Sequence, residues 1–159
     1  MTKFLLAVHV LAAIVAVGPV TVATSMFPPA ARRALAAPGT PGATGAPGAT
    51  GAPDVIGTLH LLHRICRVYA LVGVVVPVFG FATASEMGVL ESGWLIVSIG
   101  LTALAAVVLA ALVLPAQSAV VEGRGTDPAR LAMFTGMFNL LWATVTVLMI
   151  VRPGSTTGA

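Results

Sequence analysis

The side chains with most chemical scope in this chain are three histidines, two of them set beside arginines. His60, His63, Arg64 and Arg67 follow the spacing i, i+3, i+4, i+7, which places all four on one stripe of a helix. A guanidinium presents a planar fork of donors that matches carboxylate and phosphate oxygens. One reading of the stripe is therefore an anion site for haem propionates, a quinone headgroup or a lipid phosphate. The other is an interfacial stripe, whose arginines lie among lipid headgroups and hold the topology. The second asks for less, because it needs no dedicated ligand.

His9 stands alone inside an apolar run. A histidine within a membrane span is a functional candidate by default. It could ligate haem iron or copper, or relay a proton. It could equally be a neutral imidazole hydrogen-bonded to a neighbouring helix. His9 and His63 do not suit the two faces of one haem. On antiparallel helices rising about 1.5 Å per residue their depths differ by roughly 20 Å.

The remaining polar groups say less. Met133 and Met137 share a helix face, and thioethers bind copper(I), but at this spacing among phenylalanines they read as packing residues. Asn139 reads as an interhelical hydrogen bond. Cys66 is the single cysteine, so no internal disulfide forms. Arg67 beside it favours a thiolate, yet no resolving thiol is present. Glu86 and Glu91 fall in a short polar turn. The sequence has no Walker loop, no Cys-x-x-Cys and no zinc spacing. No cluster names a reaction.

The elements that carry these residues are plain from composition. Of 159 residues, 8% are charged and 58% hydrophobic, against about 25% charged in an ordinary soluble domain. A chain so poor in polar side chains does not cover a water-facing surface. Crossing a hydrocarbon core of about 30 Å takes about 20 helical residues. Four runs meet that length, at about 4–26, 55–84, 94–114 and 129–151. The expected fold is a single all-α domain, a bundle of four transmembrane helices. Gly18-Pro19 and Gly73 with Pro77 mark kinks inside runs one and two. Phe27-Pro28-Pro29 is read as the end of run one, and Pro115 as the end of run three. Asp127-Pro128 reads as the N-cap and first position of run four.

Residues 30–54 are read as a flexible loop. Within it, Gly39, Gly42, Gly45, Gly48 and Gly51 recur at every third position. Collagen-like triplets could join three protomers, but so few give little triple-helical stability, and the reading taken is a linker. Loops one and three with their helix ends hold Arg32, Arg33, Arg64, Arg67, Arg124 and Arg130. The other side holds Lys3 and Arg152. The positive-inside rule then places loops one and three in the cytoplasm of a bacterial plasma membrane and both termini outside. Lys3 ahead of run one also admits a cleaved signal peptide, with a small-residue site near Val22-Ala23-Thr24. The net charge of +3 is membrane-side charge and implies no nucleic-acid partner.

The segment FLLAVHVLAAIVAVG resembles the opening of a loose group of small bacterial membrane proteins, which includes uncharacterised four-helix members and the copper-resistance D type. RICRVYALVGVVVPVFG and WLIVSIGLTALAAVVLAALVLP resemble later helices of the uncharacterised members found in high-GC actinobacteria. The resemblance covers about 110 residues and implies haem or copper handling at His9. The Trp-x-Gly-Gly that follows the histidine in that group is replaced here by Val15-Ala16-Val17-Gly18.

The expected function is a non-enzymatic accessory or assembly subunit of a membrane complex, with lipid and other membrane subunits as partners. Alanine-rich run three, with Ser98, Gly100 and Thr102, suits close helix packing. The alternative is a protein binding haem b or copper through His9 or the His60/His63 stripe. A transporter or enzyme ranks below both, because no charged pair sits at a span's midplane.

Overall fold

The computed structural model describes residues 1–36, 54–124 and 127–154. The chain is all-helical over these residues, with four helices long and apolar enough to cross a membrane. The first is α1, Thr2–Ala36. The second is broken into α2, Val55–Val72, and α3, Val75–Met87. The third runs through α4, Gly93–Val107, a π-helical segment, Val108–Val113, and α5, Leu114–Val121. The last is α6, Pro128–Val151. The glycine triplets between α1 and α2 lie outside the described residues.

The caps follow from local chemistry. The Asp54 carboxylate accepts from the Gly57 amide at 3.0 Å and starts α2. Asp127 accepts from the Ala129 amide at 2.9 Å and starts α6, with Pro128 in the first turn as expected. Gly88 closes α3 in the left-handed region, at φ 66°, where a side chain would be strained.

The core forms in three layers. Near the loop-one end, Ala23, Phe27, Ala30 and Ala31 of α1 pack on Leu59, Leu62 and Cys66 of α2 and on Leu131 of α6. In the middle, Val20 meets Phe138, Ala105, Val108, Leu109 and Val113. At the opposite end, Ala84 packs with Trp94 and Leu95. The alanines matter because small side chains let helix backbones approach closely. Large apolar side chains such as Leu11, Ile14, Leu71, Leu140 and Ile150 point outward. Polar Thr24, Ser98, Gln117 and Thr135 are buried. This distribution suits a hydrocarbon solvent.

Two expected helix ends are helix interiors. α1 continues through Pro28-Pro29 to Ala36. Pro28 removes the amide that would serve the Thr24 carbonyl. The Thr135 hydroxyl of α6 donates to that carbonyl across the interface, at 3.5 Å. At about 1.5 Å per residue, this 35-residue helix is roughly 50 Å long and overruns a bilayer core. Arg32 and Arg33 are exposed in its last turns. Pro115 likewise does not stop run three. It follows the π-helical turn, in which the Leu114 amide donates to the Leu109 carbonyl five residues back. Winding by five relieves the clash between a proline ring and the carbonyl four residues earlier.

Run two is interrupted where a kink was expected. The helix breaks at Gly73-Val74, between α2 and α3. Pro77 cannot donate to the Gly73 carbonyl, and the Val76 amide takes it instead at 3.1 Å. That shorter loop of chain is a 3₁₀-type turn.

Candidate functional site

Two polar constellations lie within the helices. They sit at different depths, and the topology accounts for both.

The first is built on α2 and α5. His63 and Cys66 are three residues apart on α2, so they share a face. α5 packs on that face and brings Gln117 between them. The His63 Nδ1 lies 3.2 Å from the Gln117 Oε1. The Gln117 Nε2 donates to the Cys66 Sγ at 3.5 Å. An amide oxygen only accepts, so Nδ1 of His63 carries the proton and donates. Gln117 and Cys66 are both 0% exposed. Cys66 is thus shielded from Arg67, which faces outward on the neighbouring position. A buried thiol without a redox partner is inert. Arg67, which by adjacency could favour a thiolate, does not contact the Cys66 thiol.

Outward of this chain lies a groove of about 400 Å³, lined by His60, His63, Arg64, Arg67, Val68 and Leu71. All four residues of the basic stripe therefore border one space. His60, Arg64 and Arg67 are exposed, and His63 is half-buried by its bond to Gln117. Three other basic groups are engaged elsewhere. Arg124 pairs with Glu122 at 2.7 Å, the one ion pair among the described residues. Arg130 lies over Phe134 and Arg152 over Trp94, with the guanidinium carbon 5.8 Å and 5.7 Å from the ring centres.

The second constellation joins α1 to α3. The His9 Nδ1 is 3.0 Å from the Val76 carbonyl oxygen. A carbonyl has only lone pairs, so Nδ1 donates and Nε2 is left as the acceptor. The ring lies against Gly80, where an added Cβ would stand 3.0 Å from the His9 Cε1. Glycine at 80 is therefore what admits the imidazole between the helices. His63 precedes Val76 by thirteen positions on the broken second span. At about 1.5 Å rise this is roughly 20 Å, so the two histidines serve separate sites.

The other candidates resolve simply. The Asn139 Nδ2 donates to the Ser25 Oγ at 2.9 Å, an interhelical bond as expected. Met133 and Met137 are 61% and 39% exposed and face away from the bundle, so they are not the packing residues that their spacing suggested. Glu86 and Glu91 are exposed. Among the described residues no three His, Cys, Asp or Glu side chains gather as a metal-binding group. A small apolar cavity of about 140 Å³ adjoins the break in run two, with Tyr69, Gly73, Pro77, Phe138 and Trp142 among its walls.

Gln117 and Gly80 were not singled out by the sequence. Gln117 carried a signal all the same, as an uncharged polar side chain inside a continuous helical register after Pro115. Reading Pro115 as a stop placed it in a loop and hid it. Gly80 carried none, since its partner His9 is seventy-one positions away.

With known proteins the chain gives no match, whether to protein-family models, to curated proteins or to solved structures.

Proposed function

We propose that this chain is a non-enzymatic multi-pass membrane protein that serves as an accessory or assembly subunit of a larger membrane complex. The observation that carries this reading is the use of its internal polar groups. His9, Asn139, Thr135 and Gln117 each spend a donor on another helix. Such bonds hold a bundle in register rather than aim these four side chains at a common substrate. The outward surface is apolar or small over long stretches, which suits lipid and neighbouring subunits alike. In this reading loops one and three face the cytoplasm and both termini face outward, following the arginine bias.

Isolation of the tagged protein in a mild detergent tests it. The expected result is a colourless preparation that elutes as an assembly larger than its own oligomers, with defined membrane subunits identified by mass spectrometry. Elution as an isolated small species under every mild condition would overturn it.

A second reading keeps one specific observation. His9 donates through Nδ1 to a backbone carbonyl and so keeps a lone pair on Nε2, the tautomer that metal-ligating histidines adopt. With the resemblance of the first helix to the copper-resistance D group, this supports haem b or copper at His9. A Soret band or a bound copper lost in His9→Ala would establish that reading over the first.

A further inference from the structure

We propose that the groove on α2 is a binding site for the phosphate headgroup of an anionic lipid, with Arg64 and Arg67 as the binding forks. This site rests on the chain spanning a bilayer and adds a ligand to that reading.

Three observations converge. First, Arg64 and Arg67 are exposed on one face one helical step apart, and neither meets an acid among the described residues. Two unpaired guanidiniums on one wall attract a single divided negative charge, and phosphate offers its oxygens to both forks. Second, the groove has a direction. His60 and Arg64 lie toward the loop-one end of α2, and Val68 and Leu71 lie toward the break at Gly73. The polar end thus sits where headgroups are, and the apolar end runs toward the bilayer centre. Leu71 is 76% exposed there. A free phosphate would use only the upper half. A phospholipid uses the whole groove, with its headgroup on the arginines and an acyl chain over Val68 and Leu71. Third, the inner wall is fixed. His63 is held by the buried Gln117, which is held in turn on Cys66. The floor of the site is therefore preorganised by α5, rather than free to turn with solvent-facing side chains.

The full chain in dodecyl maltoside provides the test. Its thermal unfolding midpoint is followed while dioleoylphosphatidylglycerol, dioleoylphosphatidylcholine or inorganic phosphate is added. The comparison variants are the double substitution Arg64→Gln/Arg67→Gln and, as a charge control, Arg124→Gln. Because Arg64 and Arg67 are exposed and bond to no other side chain among the described residues, the double variant should fold; its helical circular dichroism verifies this. Wild type and R124Q should gain stability with phosphatidylglycerol at concentrations where phosphatidylcholine and inorganic phosphate have little effect. The double variant should bind phosphatidylglycerol about thirty-fold more weakly. An equal phosphatidylglycerol response in wild type and double variant would overturn the site. Stabilisation of wild type by inorganic phosphate as strongly as by phosphatidylglycerol would overturn the lipid as its source. Failure of the bilayer reading itself shows separately, as a monodisperse protein without detergent.

Discussion

Gln117 illustrates how much rests on one buried side chain. Its amide has no water to turn to, and both of its ends are used, one by His63 and one by Cys66. Replacing it with leucine keeps the volume but strands the His63 donor against an apolar wall. Leaving a fully buried donor unsatisfied costs about 1–3 kcal/mol, and a half-buried one such as His63 falls at the low end. Gln117→Leu should therefore lower the unfolding free energy in detergent by about 1 kcal/mol. The same change made in a His63→Phe background should cost clearly less, since the stranded donor is gone. Additive losses would mean that the His63–Gln117 bond carries no stability. His9 rests on the converse arrangement, a partner that is an absence. A Cβ at 80 would stand 3.0 Å from the His9 Cε1, so the ring would have to shift by a few tenths of an ångström to admit one. That complementarity joins positions far apart in the chain, and no spacing rule exposes it.

The helices show where such rules hold and where they give way. Hydropathy found four spans because each run is long enough to cross lipid, and that property needs no knowledge of neighbours. The Asp127-Pro128 start and the break near Gly73 were equally local, being set by caps and by a proline's missing donor. The ends at Pro28-Pro29 and Pro115 differ from the expectation because a proline does not by itself show how its lost hydrogen bond is repaired. One freed carbonyl is served by a different helix, and one ring is accommodated by a change of winding. In lipid a broken helix has no water to satisfy it, so repair from a neighbour is favoured over termination. Thr135 supplies that repair to α1. Thr135→Val should cost about 0.6 kcal/mol, the average for an interhelical hydrogen bond in a membrane. In a Pro28→Ala background the Thr24 carbonyl regains an amide, and Thr135→Val should then cost almost nothing. An unfolding cycle of the four proteins, read by thermal melts in detergent, checks the difference. Equal costs in both backgrounds would show that the Thr135 hydroxyl does not act on the proline's vacancy.

At the scale of the whole molecule, the arrangement of charge governs what the bundle does in a membrane. Arg32, Arg33, Arg64, Arg67, Arg124 and Arg130 gather at one end, and Lys3 and Arg152 at the other. The helix order α1, α2–α3, α4–α5, α6 alternates direction, so the start of α1, the end of α6 and the Gly88 turn share the second end. Positively charged ends resist translocation, and the six-arginine end is therefore expected inside. The protein carries its own convenience for measuring this. Cys66 is buried among α1, α2 and α6 and bonded by Gln117, so a membrane-impermeant maleimide should leave the native chain unlabelled in intact cells. Single cysteines placed at Glu91 in the turn and at Gly154 beyond α6 should label without permeabilisation. One placed at Arg124, at the opposite end, should label only after the membrane is opened. The same orientation puts the Arg64–Arg67 groove against the inner leaflet, where anionic lipids add about 1 kcal/mol of attraction per basic side chain. Labelling of the Arg124 position in intact cells would invert the molecule. It would also turn the groove to the outer leaflet, and the phosphatidylglycerol response measured in detergent would then need an outer-leaflet lipid to explain it.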